Sequence, residues 1–203
     1  MIGFMQGRLC DQVDGKIQAF PWKHWKSEFS VADRINLRAM EWTLDQHKLY
    51  ENPLMTEEGQ NKIRVLSTIY NVAIPSLTGD CFMQAPFWKS GACREPELQK
   101  AFLAVCKACS VVGIKMIVVP LVDNACIENR QQEDRLIDFL LSHETFFMQK
   151  NLKILFESDF EPLKLKRFID RLSSHRFGIN YDIGNSAALG FEPKDEFSAY
   201  GAR

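Results

Sequence analysis

Two short apolar segments, each ending in a carboxylate, constrain the fold of this chain most. Residues 152–157 end at Glu157, and residues 177–182 end at Asp182. Both segments have the length and the β-branched and aromatic content of buried strands. An amphipathic stretch that opens with Pro162 lies between them, and proline suits the first turn of a helix. Strand, helix and strand within about 30 residues predict a βαβ unit with parallel strands.

Parallel neighbouring strands place their carboxyl ends on the same side, so Glu157 and Asp182 are expected to emerge side by side. Two adjacent acids are costly unless something pairs with them. A divalent cation is one such partner. The alternative is that each acid caps the helix that follows it, and the local sequence leaves both interpretations open.

The βα pattern recurs six times along the chain, and polar or acidic residues follow the strands. The predicted strands end near residues 8, 41, 76, 121, 157 and 182. Residues 1–203 are therefore interpreted as one α/β domain, either a doubly wound open sheet or a (β/α)8 TIM-type barrel with about six units present. No glycine-rich nucleotide motif follows the first strand, which disfavours the open sheet.

Composition excludes several classes of protein. The 203 residues carry a net charge of −1, whereas a nucleic-acid-binding surface normally shows a basic excess. No run of 18 apolar residues predicts a membrane span, and the first residues do not resemble a signal peptide. Six scattered cysteines fit free thiols in a reducing compartment, so a cytoplasmic location is expected.

With these elements in place, the chain resembles the xylose-isomerase-like TIM barrels, the superfamily of sugar-phosphate isomerases and epimerases that also includes endonuclease IV. The resemblance covers essentially the whole chain, and it depends on the order of several strand-end segments rather than on one motif. These segments are residues 3–8, 40–43, 75–80, 155–157 and 181–185.

In that family a Glu after strand five, an Asp after strand six, a His after strand seven and a Glu after strand eight hold one divalent metal. Glu157 and Asp182 match the first two ligands. The other two have no counterpart, because the sequence reaches Arg203 before a seventh strand. Asn185 stands where family members often carry a histidine, and an amide can bond a sugar oxygen but cannot act as a base.

The resemblance implies an isomerase or epimerase that acts on a sugar or sugar phosphate through an enediolate, with Glu157 as one proton-shuttling metal ligand. It implies Mn²⁺, Mg²⁺, Co²⁺ or Zn²⁺ as cofactor, bound weakly if only two carboxylates hold it. The alternative is an inactive, truncated barrel that serves as a binding or assembly module, so whether this chain is an enzyme stays open. An endonuclease IV-like repair activity is a remote alternative, since the four histidines are not clustered.

Six further residues are predicted to bind substrate because they lie at or after strand ends. They are Arg8, Trp22, Glu41, Asp80, Asn124 and Asn185. Arg8 is suited to a phosphate or carboxylate, or else pairs with a rim acid. Trp22, together with Trp25, Phe87 and Trp88, either walls a sugar pocket or packs as loop core. The CxxC spacing of Cys106 and Cys109 lies on a helix and is interpreted as structural.

An eight-stranded barrel has no free edges, whereas six units leave the first and the sixth strand with one unpaired side each. Neither predicted edge strand carries a proline or lysine that would protect it. The isolated chain is therefore expected to form homo-oligomers, to aggregate or to need a complementing partner, and to show little isomerase activity alone.

Overall fold

The structure, a computed structural model, describes residues 2–13, 15, 16 and 18–203. In this part of the chain, six parallel strands form one sheet and follow each other in chain order. They are β1 (Phe4–Met5), β2 (Ala39–Thr43), β3 (Ala73–Thr78), β4 (Met116–Leu121), β5 (Lys153–Ser158) and β6 (Phe177–Ile179). Parallel neighbours in sequence order require a crossover between every pair of strands, and helices provide it.

The helices are α1 (Ser27–Arg34), α2 (Glu57–Tyr70), α3 (Asp80–Gln84), α4 (Glu95–Val112), α5 (Arg130–Ser142), α6 (Glu144–Gln149), α7 (Pro162–Ile169), α8 (Ile183–Leu189) and α9 (Pro193–Tyr200). Several ends follow local chemistry. Thr56 accepts a hydrogen bond from the Gly59 backbone N–H at 3.1 Å and caps α2 as predicted. Gly113 ends α4 with a left-handed φ of +89°.

Alternation along the strands separates an outer, helix-covered face from an inner face. On β5, Phe156 packs edge-on against Phe168 of α7, with ring centroids 5.1 Å apart. Leu155 and Glu157 therefore point to the opposite, inner face. Trp42 on β2 is fully buried against Phe20 and Trp25. The core thus lies mainly between the sheet and its helices.

Most elements were predicted, but some boundaries were not. β6 ends at Ile179 rather than at residue 181, and α7 stops at Ile169 rather than near residue 175. The stretch 130–149 forms two helices instead of one, because the backbone of His143, with φ of −111° and ψ of 9°, leaves the helical conformation. The helices α3 and α8 are only five and seven residues long. Neither contains a hydrophobic periodicity long enough to predict a helix.

The architecture is that of a (β/α)8 TIM-type barrel limited to about six units. Among the described residues, β1 pairs only with β2 and β6 pairs only with β5. The sheet therefore has two free edges, as the sequence predicted.

Candidate functional site

A cavity of about 260 Å³ opens at the carboxyl ends of the strands. This cavity, called the rim cavity below, lies where ligands bind to parallel α/β folds. Its wall contains four carboxylates, three amides and four apolar side chains besides Thr78. The described residues that line it are Met5, Gln18, Thr78, Asp80, Met83, Gln84, Pro120, Val122, Asp123, Glu157, Asp182 and Asn185.

Glu157 and Asp182 line the same cavity, as their positions at the ends of neighbouring strands predicted. Glu157 accepts hydrogen bonds from the Asn185 amide at 2.9 Å and from the Asn180 amide at 3.2 Å. Burial, and then the charge of Asp182, raise the pKa of Glu157 above its ordinary value despite these bonds. The two acids are therefore close enough to repel each other.

Asp182 also caps a helix, which is the alternative role considered for it. Its Oδ1 accepts the Asn185 backbone N–H of α8 at 2.8 Å. Of the residues that the structure describes, none donates to its second oxygen. Asp182 can therefore cap α8 and still offer one oxygen to a ligand.

Asp80 is the most deeply buried acid of the rim cavity, with 5% of its surface exposed. The amide of Gln18 donates to both of its oxygens, at 2.8 and 2.7 Å. Burial raises the pKa of Asp80 to about 7, and the neighbouring charges of Asp45, Glu157 and Glu41 also raise it, while the Gln18 bond lowers it. A carboxyl group of this kind exchanges a proton near neutrality.

Of the two predicted substrate-binding residues Asn185 and Glu41, the structure places Asn185 in the lining of the rim cavity and Glu41 outside it. The Glu41 side chain lies on the inner face further from the rim, where its Oε2 accepts a hydrogen bond from Ser76 Oγ at 2.7 Å. Burial raises its pKa. It lines a separate cavity of about 300 Å³ against β1 and β3. The negative charge of Glu41 nevertheless contributes to the raised pKa of Asp80 and of Glu157.

Arg8, Trp22 and Asn124 lie outside the lining of the rim cavity. Arg8 is exposed, and no ion pair joins it to Glu41 or to another described residue. Trp22 packs edge-on against Phe20 at 5.0 Å. Asn124 is exposed, and its amide donates to the Met83 carbonyl at 3.0 Å.

The other aromatic candidates pack in the core. Trp25, Phe87 and Trp88 are each at most 7% exposed. Trp88 is fully buried and donates its indole N–H to the Ala125 carbonyl at 3.1 Å. These rings therefore form the loop core rather than a sugar wall. Cys106 and Cys109 are likewise buried, and burial raises the pKa of both thiols well above the ordinary value.

Gln18, Gln84 and Asp123 line the rim cavity but were not among the predicted site residues. Gln18 belongs to an irregular connection without periodicity, so no local pattern marks it. Asp123 lies two residues after the end of β4, so its position near a strand end was a usable signal. Its backbone is left-handed, with φ of +49°, which asparagine and aspartate tolerate better than most residues.

Side chains connect the loops around the rim. The Phe20 backbone N–H donates to Asp45 Oδ2 at 2.8 Å, which ties the connection after β1 to the connection after β2. The Gln84 amide donates to Asp45 Oδ1 at 3.0 Å and extends the link to the segment after β3. Asn124 and Trp88 join that segment to the residues after β4. Neighbouring loops are therefore bonded to each other from β1 to β4.

A buried acid anchors the first of these loops. Glu28 of α1 is fully buried, and its carboxylate accepts the backbone N–H groups of Gly7 and Leu9 at 2.8 to 3.0 Å. Burial raises its pKa, although these bonds lower it. The loop is thus held by Glu28 at its start and by Asp45 near its end.

Comparison with solved structures identifies the fold. The chain is similar to a sugar phosphate isomerase/epimerase from Parabacteroides distasonis, with a TM-score of 0.69 and 9% identity over 99% of this chain and 72% of that one. It is similar to a D-psicose 3-epimerase solved in the presence of D-fructose, with a TM-score of 0.69 and 8% identity over 86% of this chain and 63% of that one. Its fold is that of the xylose isomerase-like TIM barrels.

A xylose isomerase-like TIM barrel from Mycobacterium smegmatis in complex with magnesium shares this fold, with a TM-score of 0.67 and 11% identity over 98% of this chain and 71% of that one. The chain spans about two thirds of the length of these three solved structures. No protein-family model and no curated protein matches its sequence. No helix among residues 2–13, 15, 16 and 18–203 is long and apolar enough to cross a membrane.

Proposed function

We propose that the rim cavity binds a small sugar beside a divalent cation, and that its chemistry is isomerisation or epimerisation next to a carbonyl group. The observation that supports this most is the meeting of Glu157 and Asp182 in one cavity. No basic side chain among the described residues lines that cavity. Two carboxylates that repel each other and have no basic side chain beside them in the described lining favour the binding of a cation.

The donor set fits a hard divalent cation in chemistry and is small in number. Carboxylate and amide oxygens are the ligands that Mg²⁺ and Mn²⁺ prefer. Within the described part of the chain, no group of three or more His, Cys, Asp or Glu residues is arranged to hold a metal. Glu157 and Asp182 would therefore hold the ion with help from water or substrate oxygens, and weak binding follows.

Each residue then has a role in the proposed reaction. A divalent cation in this place would polarise the substrate carbonyl and stabilise negative charge on its oxygen. Glu157 removes the proton from the neighbouring carbon, and its raised pKa suits it to return that proton. Asn185 positions the Glu157 carboxylate through its amide. Asp80 lies in the same cavity as a second group able to exchange a proton.

A second candidate is a sugar-binding barrel without turnover. Both oxygens of Glu157 accept amide hydrogen bonds, from Asn185 and from Asn180. These bonds fix the carboxylate in place and offset part of the rise in its pKa, and both effects reduce its reactivity as a base. The same cavity would then bind a sugar without exchanging its protons.

Proton exchange separates the two candidates. The full chain is incubated with Mg²⁺ and D-fructose in D₂O, and NMR measures deuterium incorporation into the sugar. We expect incorporation that Glu157→Gln abolishes. Asp159→Asn, which removes an exposed charge near the same strand end but outside the cavity, should retain it.

Metal binding is measured in parallel by titration with Mn²⁺. The affinity is expected to fall at least about tenfold in Glu157→Gln and in Asp182→Asn, because each loses one of the charged ligands. Tight stoichiometric binding that survives Glu157→Gln would contradict the metal assignment. Binding of the sugar without any exchange would favour the second candidate.

A further inference from the structure

Given the proposed function, we infer that the rim cavity selects an uncharged sugar and rejects its phosphorylated form. The inference depends on which groups line the cavity and on how their hydrogen bonds are used. It concerns the choice of substrate, which the fold leaves open, since solved structures of this fold include both a sugar phosphate isomerase/epimerase and an epimerase studied with D-fructose.

The charge of the wall is the first argument. Four carboxylates line the cavity, from Asp80, Asp123, Glu157 and Asp182, and the described lining includes no Lys, Arg or His. A bound divalent cation would offset only part of this negative charge. A phosphate group in the cavity would therefore meet like charges, and such a juxtaposition strongly weakens binding.

The hydrogen-bond donors of the wall are the second argument. The Gln18 amide donates to Asp80, the Asn185 amide donates to Glu157, and the Gln84 amide donates to Asp45. All three lining amides thus already donate to carboxylates of the protein. Phosphate sites instead present Arg, Lys or free backbone N–H groups to the ligand. Each of these amides therefore keeps at most one further N–H for a ligand, whereas the four carboxylates offer acceptor oxygens that suit the hydroxyl groups of a sugar.

Size and apolar surface are the third argument. The volume of about 260 Å³ lies below the range of about 300–1,000 Å³ that is typical of pockets for drug-sized ligands. It suits a molecule the size of a monosaccharide. Met5, Met83, Pro120 and Val122 give the wall an apolar part that can contact the C–H groups of a sugar ring. Arg8, which was suited to a phosphate, lies outside this wall.

A matched pair of probes tests the inference. Binding of D-fructose and of D-fructose 6-phosphate to the full chain is measured by calorimetry with saturating Mg²⁺ at pH 8, where the phosphate is doubly charged. We expect D-fructose to bind and the phosphate ester to bind at least about tenfold more weakly, because the ester brings a charge of about −2 to an acidic wall. Equal or tighter binding of the ester would overturn the inference and leave the proposed sugar site standing. Binding of neither sugar would overturn the proposed function itself.

Two variants locate the selection in the cavity. Asp123→Asn removes one carboxylate from the wall and should narrow the difference between the two sugars. Asp159→Asn removes the same charge outside the wall and should leave the difference unchanged. If both variants narrow the affinity difference between D-fructose and its phosphate ester equally, the net charge of the protein selects the sugar, and the inference about the cavity is overturned. Binding of the ester that Arg8→Ala abolishes would show that the phosphate group reaches Arg8, and it would also overturn the inference.

Discussion

Replacement of Asp80 by asparagine should change the stability of the protein in a direction that depends on pH. The carboxyl is 5% exposed, and burial raises its pKa from 3.8 to about 7. Between these two values the folded chain holds a proton that the unfolded chain has released. The contribution of Asp80 to stability therefore falls as pH rises from about 4 to about 7, and it is constant above that.

The magnitude follows from the width of this interval. Each unit of pKa difference corresponds to about 1.4 kcal/mol, so ionised Asp80 costs about 4 kcal/mol at pH 8. Asparagine avoids this cost but turns one N–H group toward the Gln18 amide, which now donates to both Asp80 oxygens. The lost bond costs about 1 kcal/mol. Asp80→Asn should thus stabilise the fold by about 2–3 kcal/mol at pH 8 and destabilise it by about 1 kcal/mol at pH 4.

Urea unfolding, monitored by tryptophan fluorescence, measures the free energy of unfolding of Asp80→Asn and of the wild type at pH 4 and at pH 8. Asp159→Asn, at an exposed position, serves as the control and should have little effect at either pH. The reasoning is refuted if the effect of Asp80→Asn on the free energy of unfolding is the same at pH 4 and pH 8. It is also refuted if the variant is less stable than the wild type at pH 8.

Three further predictions concern stability and assembly. Glu28→Ala should destabilise the chain by about 2 kcal/mol in urea unfolding, because the backbone N–H groups of Gly7 and Leu9 lose their acceptor; an unchanged midpoint would contradict the anchoring role. Trp88→Phe should cost about 1–3 kcal/mol, since the buried Ala125 carbonyl loses its indole partner; calorimetric melting measures this, and an unaltered melting temperature would contradict it. The free edges of β1 and β6 should produce oligomers at micromolar concentration; a monodisperse monomer in light scattering with sedimentation would refute this prediction.

The sequence was sufficient to predict the parallel βα architecture and the position of Glu157 beside Asp182. β4 (Met116–Leu121) is apolar on both faces, and β5 ends in Glu157, so length and composition mark both strands. Parallel crossovers then place all carboxyl ends on one side. The pairing of Glu157 with Asp182 in one cavity follows from that topology alone.

The remaining parts of the site depend on tertiary contacts that no local pattern contains. Gln18 meets Asp80 across 62 residues of sequence. Trp22 has the same amphipathic character whether it faces a sugar or packs on Phe20, and only the folded loop decides between these. Glu41 follows the strand pattern well, but its position one level below the rim is set by the register of β2 against β3.

The bonds between neighbouring loops bear on how this fold can be re-engineered. In barrels of this kind, the loops after the strands build the site, and variation of these loops changes the chemistry. Here the Asp45 carboxylate accepts hydrogen bonds from two other connections, through the Phe20 backbone N–H and the Gln84 amide. A single grafted loop would leave the partners of the lost side chain unsatisfied on both sides. Successful grafts should therefore carry the connections after β1, β2 and β3 together as one cassette.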